Sequence, residues 1–433
     1  MRIVTMLDPA PVAPGIASSA TQGTVIQNHW RVITLTGVVT FVAYLVRTDV
    51  SVAQERMVPA VGITIVLMGA ITAWAFQLSY ALFQIPAGML GERIGTRAAL
   101  ALALLGCSLA SLITAAVPQR GATPVLIGTR ILLGVSQAGV FPVAAMAMAI
   151  FVPVAERVRA LAIIIATSSL GAATAPLLMA PVMERFGWRA VFVLSGAIAL
   201  VTCAVWLALM PKDAPHPVIA PGAATAPFGA GLRVLLGNAG LRQLSLAYLL
   251  HSAVYFVFVF WFFRYLTEGR GFTVLASGFW GSLPGMAGVV CAPLVGTLAD
   301  RLGRRIGTAR ARRRVAMSCL FAAGVFVLLG AVLPSAVLAI CALSLSSGSI
   351  NSAEAPFFST ATALGAANPG AAAGVLNLMG NLGGVISIWL VPLMSKAWGW
   401  NGTLLFWSGV CVVAALLWLT VDVSDVASAP APA

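Results

Sequence analysis

Twelve runs of predominantly apolar residues begin near positions 32, 65, 97, 123, 158, 188, 243, 274, 314, 336, 371 and 401, with short polar or Gly/Pro-marked breaks between them. A helix needs about 20 apolar residues to cross a hydrocarbon core of roughly 30 Å, and inside lipid the backbone can satisfy its polar groups only internally. The pattern predicts an all-α membrane protein with twelve transmembrane helices. One longer interruption, Pro211 to Gly231 with prolines at 211, 215, 217, 221 and 227, has the composition of a linker. The expected organisation is a tail over 1–28, a six-helix bundle over 29–210, a linker over 211–240, a second six-helix bundle over 241–421 and a tail over 422–433.

The two bundles echo each other. Gly88-x-Leu90-Gly91-Glu92-Arg93-x-Gly95-x-Arg97 returns about 208 residues later as Gly296-x-Leu298-Ala299-Asp300-Arg301-x-Gly303-Arg304-Arg305. Phe186-Gly187-Trp188-Arg189 is echoed about 212 residues on by Trp398-Gly399-Trp400-Asn401. Repeats at so long a period imply two like-built, pseudo-symmetric bundles with a substrate path between them. An acid followed by arginine, flanked by glycines at a membrane exit, suits an inter-helix latch, because glycine permits close approach and the charges can pair or cap a helix end. Glu92, Arg93, Asp300 and Arg301 are therefore assigned to conformational coupling, with Gly88, Gly95, Arg97, Gly296, Gly303 and Arg304 completing the two motifs. Arg130, in the fourth span, joins this group.

Composition supports the membrane reading: 60% of the 433 residues are apolar and 9% charged, too little polar surface to cover a soluble globule of this length. A net charge of +13 raises nucleic acid as a partner, but the distribution of the basic residues points elsewhere. With a cytoplasmic N-terminus, 16 of the 25 fall in the tails and in the loops after spans 2, 4, 6 and 8, seven of them between Arg301 and Arg314. This bias predicts both termini cytoplasmic in an inner membrane. Arg310 to Arg314 is read as a topology determinant, or as a contact for anionic membrane lipids. The six cysteines lie in apolar runs without metal-ligand spacing and are read as packing residues. Residues 1–28 lack the basic start and short apolar core of a cleavable signal. No nucleotide-binding loop, metal cluster or nucleophile–base set is visible, so neither an enzyme, a metal site nor a bound cofactor is expected. The chain is read as a monomer.

Arg47 stands well inside the first span, where a charge costs several kcal/mol unless it faces a cavity or a partner. Tyr44, Arg47 and Ser51 share one helix face, and a guanidinium matches a carboxylate bidentately. Arg47 is either an anion-binding residue or one partner of an ion pair with an acid of the other half. Other polar stripes at helical spacing are Gln77, Tyr80 and Gln84; Arg130, Gly134, Gln137 and Phe141; Ser347, Asn351 and Glu354; and Asn377, Asn381 and Gly384. Each faces inward, towards ligand or towards another helix. On span 7, His251, Tyr255, Phe258 and Phe262 form a similar face, with packing the expected role of the phenylalanines and substrate contact open to Tyr255 and His251. The substrate-binding candidates are thus Arg47, Tyr44, Gln77, Gln137, Tyr255, Asn351, Asn377 and Asn381. Glu354 and Asp49 are the candidates for proton coupling: Glu354 could instead bond permanently to Arg47 or to backbone, and Asp49 could be a hydrated residue near the end of span 1.

With both copies of the G-x-L-x-[DE]-R-x-G-x-R loop, Tyr80-x-x-x-Gln84-x-Pro86, Arg130-x-x-x-Gly134, Trp261-x-x-x-Tyr265-Leu266 and Asn377-x-x-Gly380-Asn381-Leu382-Gly383-Gly384, the chain resembles the major facilitator superfamily. Together with Tyr44-x-x-Arg47-x-x-x-Ser51-Val52-Ala53, these motifs resemble its anion:cation symporter branch. The resemblance implies a secondary transporter of small organic anions, carboxylates by preference, working by alternating access with protons as partner. The branch carries an acid immediately before the span 1 arginine and a glutamate in span 4. Val46 and Gln137 occupy those places, so the branch's proton route does not transfer to them. Where Pro-Thr is commoner in the branch stands Phe263-Arg264; Arg264 is read as a second anion contact or a snorkelling anchor. The rival readings are a proton-driven exporter of amphipathic compounds, suggested by the aromatic face of span 7 and Arg130, and a non-transporting scaffold or sensor.

Overall fold

A computed structural model of the chain describes residues 29–153, 156–211, 237–365 and 369–421; both tails and most of the linker lie outside the described residues. Helix α1 spans His29–Ala60. α2 begins as Ile65–Ala70, passes through a π-helical turn over Ile71–Gln77 and continues as Leu78–Ile94. α3 is Thr96–Ala115, α4 is Ala122–Ala138 with Val140–Phe151, α5 is Arg157–Phe186 and α6 is Trp188–Leu209. In the second half, α7 is Ala239–Arg264 with a terminal π turn over Tyr265–Gly269, α8 is Val274–Ile306, α9 is Thr308–Val332 and α10 is Ala336–Leu364. The final helix, Pro369–Leu417, breaks at Gly399 (φ 70°). Among the described residues, eleven helices are long and apolar enough to cross a membrane, and the break at Gly399 divides the last into α11 and α12, in keeping with the expected twelve crossings.

Local chemistry explains several boundaries. Thr64, Asn238 and Thr273 sit in extended backbone, and their side-chain oxygens accept from Leu67, Leu241 and Ala276 N–H, satisfying first-turn donors that have no helical partner. Gly95 (φ 85°) ends α2 and Gly307 (φ 89°) ends α8, a conformation that costs glycine little and other residues much. The loop motif places Gly303 opposite Gly95, but α8 continues through Gly303 and breaks four residues later. Gly307-Thr308 repeats Gly95-Thr96, so the second copy carries about one additional helical turn. The glycine breaks of the two halves therefore recur at one spacing: 95 and 307 are 212 apart, as are 187 and 399.

Within each half the same pairs pack: α1 with α5 and α7 with α11, α3 with α6 and α9 with α12, α2 with α4 and α8 with α10. The halves meet along α5–α8, α2–α11 and α1–α7. Small residues allow this proximity, as helix association in lipid requires. A Cβ on Gly278 would lie 2.6 Å from Ala180 Cβ, and one on Gly285 2.5 Å from Ala173 Cβ. On the other seam Gly69 fits against Pro392, and Trp74 meets Trp389 edge to face at 6.2 Å.

The two ends of the seam differ. At the end remote from the loop motifs, Gln54 Nε2 donates to Phe260 O (3.3 Å), Arg264 pairs with Glu55 (3.2 Å) and Thr267 Oγ1 donates to the same carboxylate (3.1 Å). At the motif end, Glu92, Arg93, Asp300 and Arg301 are exposed, and none belongs to an ion pair among the described residues. Among the described residues, the distal end is bridged and the four motif side chains are exposed. Arg97 donates to Leu207 O while Trp206 Nε1 donates to Arg97 O, which ties the start of α3 to the end of α6.

Candidate functional site

Arg47 lies at the middle of α1, 5% exposed. Its Nε donates to Gln137 Oε1 at 2.9 Å, and Gln137 Nε2 donates to Ala43 O at 2.8 Å, so α4 fixes the guanidinium from behind. The Tyr44 and Tyr80 rings stand 4.3 and 4.2 Å from its central carbon, with Phe76 at 5.5 Å. Two ring faces stabilise the cation and restrict its swing without neutralising it, and among the described residues no carboxylate pairs with it. Tyr44 thus lies beside Arg47 as spacing along α1 predicts, whereas the approach of Gln137 from α4 follows only from the tertiary structure. Tyr80 and Phe76 were missed as members of the site. The signal for Tyr80 was its place in the Gln77/Tyr80/Gln84 stripe; the π turn over Ile71–Gln77, of a kind frequent at functional sites, has no sequence signature.

Beside Arg47, a pocket between α1, α5, α7, α8 and α10 is lined in part by Thr48, Ser51, Ser169, Tyr255, Ser347 and Asn351. Tyr255 stands near enough to feel the charges of both Arg47 and Glu354, and so joins the two halves of the site. Glu354 accepts from Tyr248 Oη at 2.6 Å and lies 3.8 Å from His251 Nε2, which is 2.9 Å from Ile350 O. The Glu354 side chain is 45% exposed. Its partners are therefore α7 groups of its own half, and the permanent bond to Arg47 is absent.

Other candidates fall elsewhere. Gln77 Nε2 donates to Asn381 Oδ1 (2.7 Å), Asn377 Nδ2 to Gln84 Oε1 (2.5 Å), and Asn381 Nδ2 to Asn377 O (2.8 Å). These amides form a hydrogen-bonded ladder along the α2–α11 seam. Asp49 is 1% exposed, which corrects the hydrated reading: the extra helical offset from Arg47 turns it into the N-terminal bundle. Arg130 and Ser195 are its polar neighbours, and among the described residues its carboxylate oxygens accept no hydrogen bond. Arg130 is equally buried, donates to Thr114 Oγ1 at 3.2 Å and lies 5.6 Å from the Phe192 ring. Arg264 is neither an anion contact nor a snorkelling anchor, because Glu55 and Glu268 hold it at 3.2 and 2.9 Å.

Two six-helix bundles with glycine breaks repeated at 212 residues, a pocket between them and a buried cation nearby are the architecture of a membrane transporter. The Major Facilitator Superfamily model matches residues 36–388, and the chain belongs to that superfamily. It is 29% identical over 360 residues to the probable sulfoacetate transporter of Cupriavidus necator, covering 80% of this chain and 83% of that one. With the D-galactonate transporter of Escherichia coli O6:H1 it shares 26% identity over 87% of this chain and 92% of that one. Among solved structures, a bacterial homologue of the human lysosomal transporter Spinster superposes with a TM-score of 0.74 at 16% identity, over 91% and 96% of the two chains, confirming the fold.

Proposed function

We propose that the protein carries small organic anions, carboxylates by preference, across the inner membrane by alternating access, with proton symport as the driving reaction and both termini cytoplasmic. The observation that carries this reading is Arg47: a buried cation with aromatic and amide partners and, among the described residues, no ion-pair partner, one position from Thr48 in the lining of the pocket between the bundles. A ligand anion completes it. Gln137 orients the guanidinium, Tyr44 and Tyr255 flank the anion, and Asn351 contacts its far end, while Gln77, Asn377 and Asn381 hold the seam beside them. Relatives named for sulfoacetate and D-galactonate transport support the same class. Of the α7 face behind the exporter alternative, His251 and Phe262 are buried and Tyr255 and Phe258 line the pocket.

Glu354 and Asp49 are the proposed coupling acids, one beside the cleft and one inside the N-terminal bundle. Each net charge moved across about 100 mV gains roughly 2.3 kcal/mol, so uptake runs uphill when protons outnumber anionic charges. The glycine-flanked acid–arginine motifs re-engage when the motif end closes, and Arg310 to Arg314 faces anionic lipid.

The test is transport into proteoliposomes alongside binding to the purified monomer. Charge-assisted hydrogen bonds contribute about 1.5–3 kcal/mol, so Arg47→Gln is expected to weaken anion binding by about 10- to 100-fold. Wild-type affinity in Arg47→Gln would refute the anion site. Accumulation driven by a pH gradient that survives Asp49→Asn with Glu354→Gln would refute the coupling assignment.

A further inference from the structure

The bridge at the distal end of the seam carries more acid than base. Glu55 of α1 accepts from Arg264 Nη1 (3.2 Å) and Thr267 Oγ1 (3.1 Å), while Glu268 holds Arg264 Nε at 2.9 Å and accepts from Trp400 Nε1 (3.3 Å). One guanidinium thus answers two carboxylates. The other charges at this end are turned elsewhere. Arg56 pairs with Glu184 of α5 at 2.6 Å, and Arg270 donates to Tyr265 Oη, Gly330 O and Leu333 O. Arg185 of α5 lies over the Phe186 ring, and Arg189 of α6 donates to Val117 O. Lys396 of α11 is exposed and belongs to no ion pair among the described residues.

The two carboxylates are not equivalent. The Glu268 side chain is 50% exposed and belongs to the same half as Arg264, so water solvates its charge and its pairing holds nothing across the seam. The Glu55 side chain is 14% exposed. Its two bonds, with that from Gln54 Nε2 to Phe260 O, tie α1 to the end of α7. An ionised Glu55 serves both α7 donors. A protonated one offers Arg264 no charge and keeps a single carbonyl oxygen for the two of them, so Arg264 turns to Glu268, one turn along its own helix. Of the three links, only the Gln54 amide bond is indifferent to pH.

We propose that this bridge is a pH-operated outer gate: an ionised Glu55 keeps the distal ends of α1 and α7 together, and a proton taken up by Glu55 from the distal side releases them. The pairing is complete while Glu55 is ionised and is lost as pH falls through its titration. Acid on the distal side therefore favours the state open to that side before any ligand binds. The gate rests on the alternating-access reading above and on its orientation, but requires neither the anion site at Arg47 nor Asp49 and Glu354 as coupling acids.

The experiment measures distances between spin labels at Ala60→Cys on α1 and Leu275→Cys on α8, both exposed, in the full chain carrying Cys341→Ser to remove the exposed native cysteine. As pH falls from about 8 to about 5, a window in which perturbed carboxyls titrate, the share of long distances is expected to rise several-fold. Glu55→Gln should show the larger share at both ends of the window. Glu268→Gln should keep the response but move it to lower pH, because Arg264 then serves Glu55 alone. Glu184→Gln, which breaks a bond within the first half, should leave the response unchanged. Distances that ignore pH, a response that survives Glu55→Gln, or one abolished by Glu268→Gln overturns the gate. The same scan on Asp49→Asn with Glu354→Gln separates it from the coupling assignment: a response that persists belongs to the bridge, and one that vanishes assigns the sensing to those acids and overturns this inference.

Discussion

The two halves copy each other's packing and share almost none of each other's charge. A Cβ on Gly171 would lie 2.1 Å from Phe41 O, and one on Gly383, 212 positions later, 2.1 Å from Leu249 O; α5 is pressed on α1 in the same way that α11 is pressed on α7. Phe41 and Leu249 are 208 apart, and at that spacing Arg47 corresponds to Tyr255 and Asp49 to Val257. The first half buries Arg47, Asp49 and Arg130, whereas the second sets Glu354, His251 and Tyr248 together beside the cleft. The steric contacts that seat one helix on another repeat between the halves. A ligand with one charged end does not need two like sites, so polar groups are free to diverge.

The largest effect should come from the charges confined to the first half. Arg130→Met removes the cation nearest the buried Asp49 together with the bond to Thr114 Oγ1, and is expected to cost about 3 kcal/mol, the upper end of the penalty for an uncompensated buried polar group. Adding Asp49→Asn should recover much of it, a non-additivity expected of groups in one network. Thermal denaturation of the two single variants and the double decides this, and simple additivity would mean that the two charges do not feel each other.

Next in size is the shared packing. Gly171→Ala and Gly383→Ala each push a methyl into a backbone carbonyl of the facing helix, so each should cost about 1–3 kcal/mol, as overpacking does. The two losses are expected to match. A large loss in one half with none in the other would break the packing symmetry proposed here.

The smallest equilibrium effect belongs to the distal bridge. Glu55→Gln removes a partly exposed ion pair worth about 0–1 kcal/mol, yet about 1 kcal/mol still shifts a two-state population several-fold. Spin-label distances across the distal ends of α1 and α7 should broaden toward longer values in Glu55→Gln and Arg264→Gln, and unchanged distributions would show that the bridge does not bias opening.

Much of this was legible from the chain. Hydrophobic periodicity, the doubled loop motif and the WG-type echo located the twelve crossings and the two bundles, and the cost of a charge in lipid singled out Arg47. Spacing along one helix also placed Tyr44 beside it. What could not be read was which stripe meets which. Gln77, Gln84, Asn377 and Asn381 carry the same amide chemistry as Gln137, but the first four pair across α2–α11 while Gln137 reaches Arg47. Arg264, recognised as a departure from the symporter branch, gained its meaning only with Glu55, 209 positions away.

The sequence by itself determined that this chain spans a membrane repeatedly, is built twice over, and carries a cation inside its first span, because these properties follow from local free energies: transfer of side chains into lipid, helix periodicity and glycine at breaks. The tertiary structure alone decided that Asp49 turns inward, that Glu354 answers to Tyr248 rather than Arg47, and that the distal end is the bridged one. Those outcomes depend on the rotation and separation of helices, which small residues such as Gly171, Gly278 and Gly383 set through contacts with segments far away in the chain.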